Sequence, residues 1–248
     1  MGDIPDRTVI FIGETGAGKS SCANALAGFE RFEVSASSCS VTKDVQAVTV
    51  TLPWEGKKYT VKIVDTIGIG DADFSPEEVL SRLAVACHEC REGINAVFLV
   101  IGMRFTKEQA EAFDILWQVL FGPQVVELTT VVRTRFEKFN DPTAVREDKA
   151  VLQRKTGAAK RILSHIGDRL LYVDNNKDKR KALKESGSIM LKYLIGLSCK
   201  NVFRPPIMED VRKKISEHVE EQKRLAKEKG ELRKQLQQAA EAQLGCPG

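Results

Sequence analysis

Residues Gly13 to Ser20 read Gly-Glu-Thr-Gly-Ala-Gly-Lys-Ser, a full G-x-x-x-x-G-K-[ST] pattern. Glycines at this spacing let successive backbone N–H groups converge on phosphate oxygens. A helix beginning there adds the partial positive charge of its N-terminus. Lys19 is then placed to reach β- and γ-phosphates, and the Ser20 hydroxyl to ligate Mg²⁺. The flanks give the pattern its context. An apolar run, Thr8–Ile12, enters the loop and a helical stretch, Ser21–Leu26, leaves it. Gly13, Glu14, Thr15, Gly16, Ala17, Gly18, Lys19, Ser20 and Ser21 are therefore candidate contacts to a nucleoside triphosphate.

Further motifs follow in the order a triphosphate site requires. Val64-Asp65-Thr66-Ile67-Gly68 ends an apolar run in D-x-x-G, the second phosphate-side motif of GTPases. There Asp65 would hold Mg²⁺ through water and the Gly68 N–H would sense the γ-phosphate. Between the two motifs, Thr42 in Ser40-Val41-Thr42-Lys43 is the candidate switch hydroxyl, against an ordinary loop threonine. Ser35 in the same stretch joins the nucleotide-contact candidates. After a later buried run, Thr134-Arg135-Phe136-Glu137 has the spacing of the guanine-reading [NT]-[KR]-x-D motif. Its acid is one methylene longer than Asp, which weakens the case for strict guanine preference. Asn175 and Asn176 offer a further base-side contact or a turn cap.

These residues need a frame. Apolar runs at 7–12, 45–52, 58–64, 95–101, 125–132 and 169–173 read as strands, and 19–27, 76–91, 106–120, 143–165 and 178–197 as helices. The 95–101 run is continuously apolar, as a strand covered on both faces should be. Strands separated by helices predict a three-layer α/β fold with a mostly parallel six-stranded sheet and right-handed crossovers. The short link between the second and third strands predicts a hairpin, hence one antiparallel strand.

Beyond Arg204-Pro205-Pro206 the composition changes. Residues 207–244 are nearly all Glu, Lys, Arg, Gln, Ala and Leu, with Val211, Ile215, Leu225, Leu232, Leu236 and Ala239 on steps of 3 and 4. This predicts an amphipathic helical extension, 207–244, after a nucleotide-binding domain at 7–200. Two readings stand for it, a weak coiled-coil seam or a helix folded back on the domain. Interspersed charges disfavour a basic membrane-binding face.

Composition excludes other classes. A net charge of +4 without basic runs interleaved with aromatics gives no nucleic-acid signature. No run of about eighteen apolar residues predicts a transmembrane helix. Met1–Asp6 lacks the pattern of a signal peptide, and the six cysteines are expected as reduced thiols in the cytoplasm. Cys87-His88-Glu89-Cys90 lacks a second ligand pair and reads as a piece of helix rather than a zinc site.

The motif set resembles the GIMAP-type, immunity-associated GTPases, relatives of the plastid-import GTPases within the P-loop G domains. The P-loop, Ser-Val-Thr-Lys, Thr-Arg-x-Glu and Asn-Asn carry the likeness. So does the family's extra box, here Asn95 to Thr106, followed by Lys107-Glu108-Gln109. The chain departs at Ile67, where the family usually has Pro, and at Glu137, where it often has Asp. The resemblance implies GTP/GDP and Mg²⁺ as ligands, a GTP-dependent switch, and a nucleotide-dependent homodimer or oligomer. Ile69 stands where small GTPases place a water-orienting Gln, so intrinsic hydrolysis should be slow. Arg104 in the extra box is the candidate arginine finger donated across a dimer; the alternative is a surface arginine pairing with Glu108. Partner binding through the C-terminal helix and peripheral membrane contact remain open. The competing class is a septin-like assembly module with structural nucleotide, for which Asp65-Thr66-Ile67-Gly68-Ile69-Gly70-Asp71 and the coiled-coil tail speak.

Overall fold

The computed structural model describes residues 6–33, 44–68, 76–102, 106, 110, 113–114, 122, 124–154, 156–176, 178–197, 202–204 and 208–244. The chain runs through β1 (Arg7–Gly13), α1 (Lys19–Ala27), β2 (Gln46–Trp54), β3 (Lys57–Asp65), α2 (Pro76–Glu89) and β4 (Ala96–Ile101). It continues through α3 (Gln124–Leu128), β5 (Thr129–Arg133), α4 (Pro142–Gln153), α5 (Ala158–Ile166), β6 (Leu170–Tyr172), α6 (Arg180–Lys192) and α7 (Met208–Leu244). The sheet has six strands in the order β2-β3-β1-β4-β5-β6. Among the described residues only β2 runs antiparallel to its neighbour in this sheet; the other pairs are parallel.

Side-chain alternation explains the layers. In β1, Val9 and Phe11 join one apolar cluster with Leu26 of α1, Phe98 of β4 and Met190 of α6. Ile10 and Ile12 join a second cluster with Val64, Val97 and Leu83 of α2. A third lies under α5, where Leu99, Ile101 and Val131 meet Ile162 and Ile166. Successive strand residues point to opposite faces, so a continuous apolar run such as β4 fills both layers. Phe11 and Phe98 meet edge to face across the sheet, with ring centroids 5.3 Å apart.

The hairpin is tighter than its sequence suggested. Strand pairing extends to Trp54 opposite Lys57, leaving a two-residue turn. Glu55 (φ 48°) and Gly56 (φ 75°) both adopt positive φ, the geometry whose twist suits a two-residue hairpin. Two expectations are corrected. The apolar run 125–132 is not one strand: its first residues form the short helix α3, and β5 begins at Thr129. The span 143–165 is not one helix either. Gly157, at φ 66°, separates α4 from α5, a backbone conformation an α-helix cannot contain. The proposed 106–120 helix lies mostly outside the described residues, with Ala110, Phe113 and Asp114 helical.

Helix α7 packs against α2. His218 and Leu225 are half-buried, while 226–235 are exposed, so the fold-back reading describes its earlier part. Phe203 pairs with Ile94 through two backbone hydrogen bonds and helps cover the second cluster. Of the cysteines, Cys22, Cys87 and Cys90 are buried free thiols. Burial pushes the Cys90 thiol up to about 12 and the other two higher still. Among the described residues no group of His, Cys, Asp and Glu is arranged to hold a metal, and no helix is long and apolar enough to cross a membrane.

The two helices on the first face meet at a glycine. A Cβ on Gly187 of α6 would lie 2.0 Å from the Ala25 carbonyl oxygen of α1. Gly187→Ala is therefore expected to lower stability by about 2 kcal/mol. The measurement is urea unfolding, with the midpoint falling at constant slope; an unchanged midpoint would mean the helices part without strain.

Candidate functional site

Parallel register brings the chemical residues to one edge. Phe11 lies opposite Asp65 and Gly13 opposite Val100, so the loop after β1 opens between the carboxyl ends of β3 and β4. Ligands bind at this end of parallel sheets because the strand ends and helix starts gather there. The loop keeps its path through close contacts only glycine permits. Gly18 sits at φ 100°, and a Cβ on it would lie 2.2 Å from Asn175 Nδ2. A Cβ on Gly68 would fall 1.9 Å from Thr15 Oγ1, so the D-x-x-G glycine presses directly on the phosphate loop.

The charged groups at the loop are buried. Lys19 is 6% exposed, and its Nζ donates to the Glu14 carbonyl at 3.0 Å. Ser20 Oγ donates to Asp65 Oδ2 at 2.6 Å. Asp65 is fully buried, and its Oδ1 has no hydrogen-bond partner among the described residues. Burial pushes its carboxyl up to about 6, against the opposing pull of Lys19 and the Ser20 hydroxyl. Thr15 Oγ1 is likewise buried and unpartnered. Two unsatisfied oxygens beside a buried ammonium and a hydroxyl are the donor set a hard cation with a phosphate would complete.

The base-side motif is tied to this loop. Thr134, 1% exposed, donates its hydroxyl to the Ala17 carbonyl at 2.8 Å. Its hydroxyl thus ties the start of this motif to the phosphate loop. Arg135, at φ 57°, donates from NH2 to the Gly16 carbonyl (2.8 Å) and from its backbone N to Asn175 Oδ1 (3.2 Å). Asn175 is buried at the junction, with Nδ2 3.5 Å from the Gly18 carbonyl. Asn176 is exposed and engaged in its own turn, its Oδ1 accepting from Asp178 N at 3.0 Å. Glu137 is exposed and paired with Lys179 at 2.7 Å. From the extra box, Thr106 Oγ1 donates to Glu14 Oε2 at 3.3 Å, joining that box to the phosphate loop.

Ser21 sits half-buried in the first turn of α1. Ser35, Thr42 and Arg104 lie outside the described residues, as do Ile69 and Glu108. Sequence reasoning missed Lys179, which falls in a basic run, Lys177 to Lys181, that reads as solvated surface. The carboxylate of Asp174, five residues earlier, was the available signal.

A family model described as the AIG1 family matches residues 7–227. The chain belongs to the AIG1 family. Its relatives include immune-associated nucleotide-binding protein 8 of Arabidopsis thaliana, 29% identical over 94% of this chain and 65% of that protein. Immune-associated nucleotide-binding protein 7 of the same plant is 27% identical over 96% of this chain and 84% of that protein. The chain spans 65%, 38% and 51% of three such relatives, numbers 8, 13 and 9, less than two thirds of each. Among solved structures, Toc33 from Arabidopsis thaliana in complex with GDP and Mg²⁺ superposes with TM-score 0.52 at 18% identity, over 80% of this chain and 87% of that one. Era in complex with MgGDPNP and a piece of 16S ribosomal RNA gives 0.53 at 16%, over 83% and 63%. At these identities the structural likeness establishes the P-loop GTPase fold of the AIG1 chain.

The buried carboxylate makes a pH prediction. Between its ordinary value of 3.8 and about 6, the native state holds a proton at Asp65 that the unfolded chain has released. Stability of the ligand-free protein therefore falls as pH rises through this window, by about 3 kcal/mol. Asp65→Asn should flatten that dependence and raise the ligand-free melting temperature at neutral pH. Parallel pH profiles of parent and variant would refute the assignment.

Proposed function

We propose that this chain is a GTP-binding molecular switch of the cytoplasm whose slow intrinsic hydrolysis is stimulated by dimerization. The observation that carries the reading is the convergence of three motifs on one sheet edge. The phosphate loop, the buried Asp65 and the base motif are joined by the Ser20–Asp65 and Thr134–Ala17 hydrogen bonds. The nucleotides and Mg²⁺ in the Toc33 and Era complexes support the choice of ligand.

In this reading Lys19 exchanges the Glu14 carbonyl for β- and γ-phosphate oxygens, and the loop amides hold the remaining oxygens. Ser20, Asp65 and Thr42 would hold Mg²⁺, which when bound would supply positive charge to the phosphates. The Gly68 amide reads the γ-phosphate, and its contact with Thr15 passes that reading to the loop. Glu137 accepts from the guanine edge, with Arg135 and Asn175 fixing the loops that carry it. Ile69 cannot orient a water. A second copy supplies Arg104 to the transition-state charge, an effect on the order of 10³–10⁵ in rate. Two observations support that role: the extra box is anchored to the phosphate loop by Thr106, and Toc33 has been solved as a dimerization-deficient mutant. Residues 7–200 form the switch domain, and the helical extension 207–244 is the surface offered to a partner.

The test is titration with GTP and ATP, followed by turnover at two protein concentrations with parent and Arg104→Ala. GTP is expected to bind more tightly, and turnover per subunit to rise with concentration in the parent alone. Equal affinity for ATP removes the guanine reading. A variant rate that still rises with concentration removes Arg104 from the mechanism.

A further inference from the structure

Resting on the guanine reading above, we infer that Lys179 is a specificity-determining residue that acts through Glu137, tethering the base-reading carboxylate. Its Nζ lies 2.7 Å from Glu137 Oε1 and 3.4 Å from Asp174 Oδ2. The two carboxylates come from the two loops at the base end of the site.

These partners differ in environment. The Asp174 side chain is 4% exposed and needs a cation nearby. Its Oδ1 accepts from Asn176 N, and its backbone N–H donates to Ser186 Oγ in α6. Glu137 stands in solvent, where an isolated ion pair holds a side chain weakly. The buried Asp174 anchors the lysine, and the lysine anchors the glutamate. Lys179 also occupies the N-cap position of α6, the end whose dipole repels a cation. The carboxylates hold it there against that field. The pairing draws the Glu137 carboxyl below its ordinary value.

The tether answers a problem set by the sequence. Glu carries one rotatable bond more than Asp, and a free arm loses affinity when it must be ordered on binding. A carboxylate offers about four lone-pair sites, so Oε1 takes the lysine while acceptor capacity remains for a base. The rest of the turn is fixed as well. Phe136 N donates to the Val173 carbonyl at 3.1 Å, and Asn140 Nδ2 to Glu185 Oε2 at 2.6 Å.

The experiment measures affinities of the full chain for GDP, IDP and ADP with Mg²⁺, in the parent and in Lys179→Met, Lys179→Gln and Lys179→Arg. IDP lacks the guanine amino group, so the GDP-to-IDP ratio reads the carboxylate's placement. Thermal unfolding of each variant confirms that it is folded. The expected result is a fall of about tenfold in that ratio for both uncharged variants, with Arg restoring most of it. If the parent discriminates and the uncharged variants discriminate equally, or bind GDP more tightly, the tether is overturned and the guanine reading stands. If the parent itself does not prefer GDP to ADP, the guanine reading falls and the tether with it.

Discussion

The site is organised around a carboxylate that solvent cannot reach. Asp65 ends β3, an interior strand, with no exposed surface and one oxygen that no described residue partners. An ionised group in that position demands positive charge close by. Lys19 and Ser20 at the start of α1 answer part of the demand. The neighbouring Thr66 hydroxyl donates to the Phe11 carbonyl at 2.8 Å and ties the end of β3 to β1. The register that sets Asp65 opposite Phe11 and the loop that buries Lys19 together place this charge where a cation could complete it.

The base end is built differently. Its side chains mainly bond to backbone carbonyls and amides. Thr134 reaches Ala17, Arg135 reaches Gly16, and Asn175 reaches the backbone on both sides. Such bonds fix loop paths, while the two carboxylates of these loops, Glu137 and Asp174, pair with Lys179. Arg133 extends the network outward through a two-point pair with Asp148 of α4 and a bond to the Gly102 carbonyl, within the extra box.

Where one local rule governed an element, the sequence was sufficient. The phosphate loop announced itself because strand, glycines and helix each impose a separate pattern, and all three agree. The antiparallel edge followed from a link too short for a crossover. Periodicity misread the 125–132 run because Val125 and Val126 suit a strand and a buried helical turn equally. It misread 143–165 because one glycine outweighs an otherwise helical composition. The ion pairs of Lys179 escaped because they depend on Asp174 being buried and on Glu137 arriving from another loop, neither of which is local. The bond from the buried Thr134 hydroxyl to the Ala17 carbonyl was likewise illegible, because it joins residues 117 positions apart.

The close contact between Gly187 and the Ala25 carbonyl joins the helix that begins at the phosphate loop to the helix that begins at the base loops. Neither helix can slide without breaking that contact. The spacing between the two ends of the site is therefore set by helix packing on one face of the sheet. On the proposed reading the two helices are the frame of a caliper, with the phosphate loop and the base loops as its jaws.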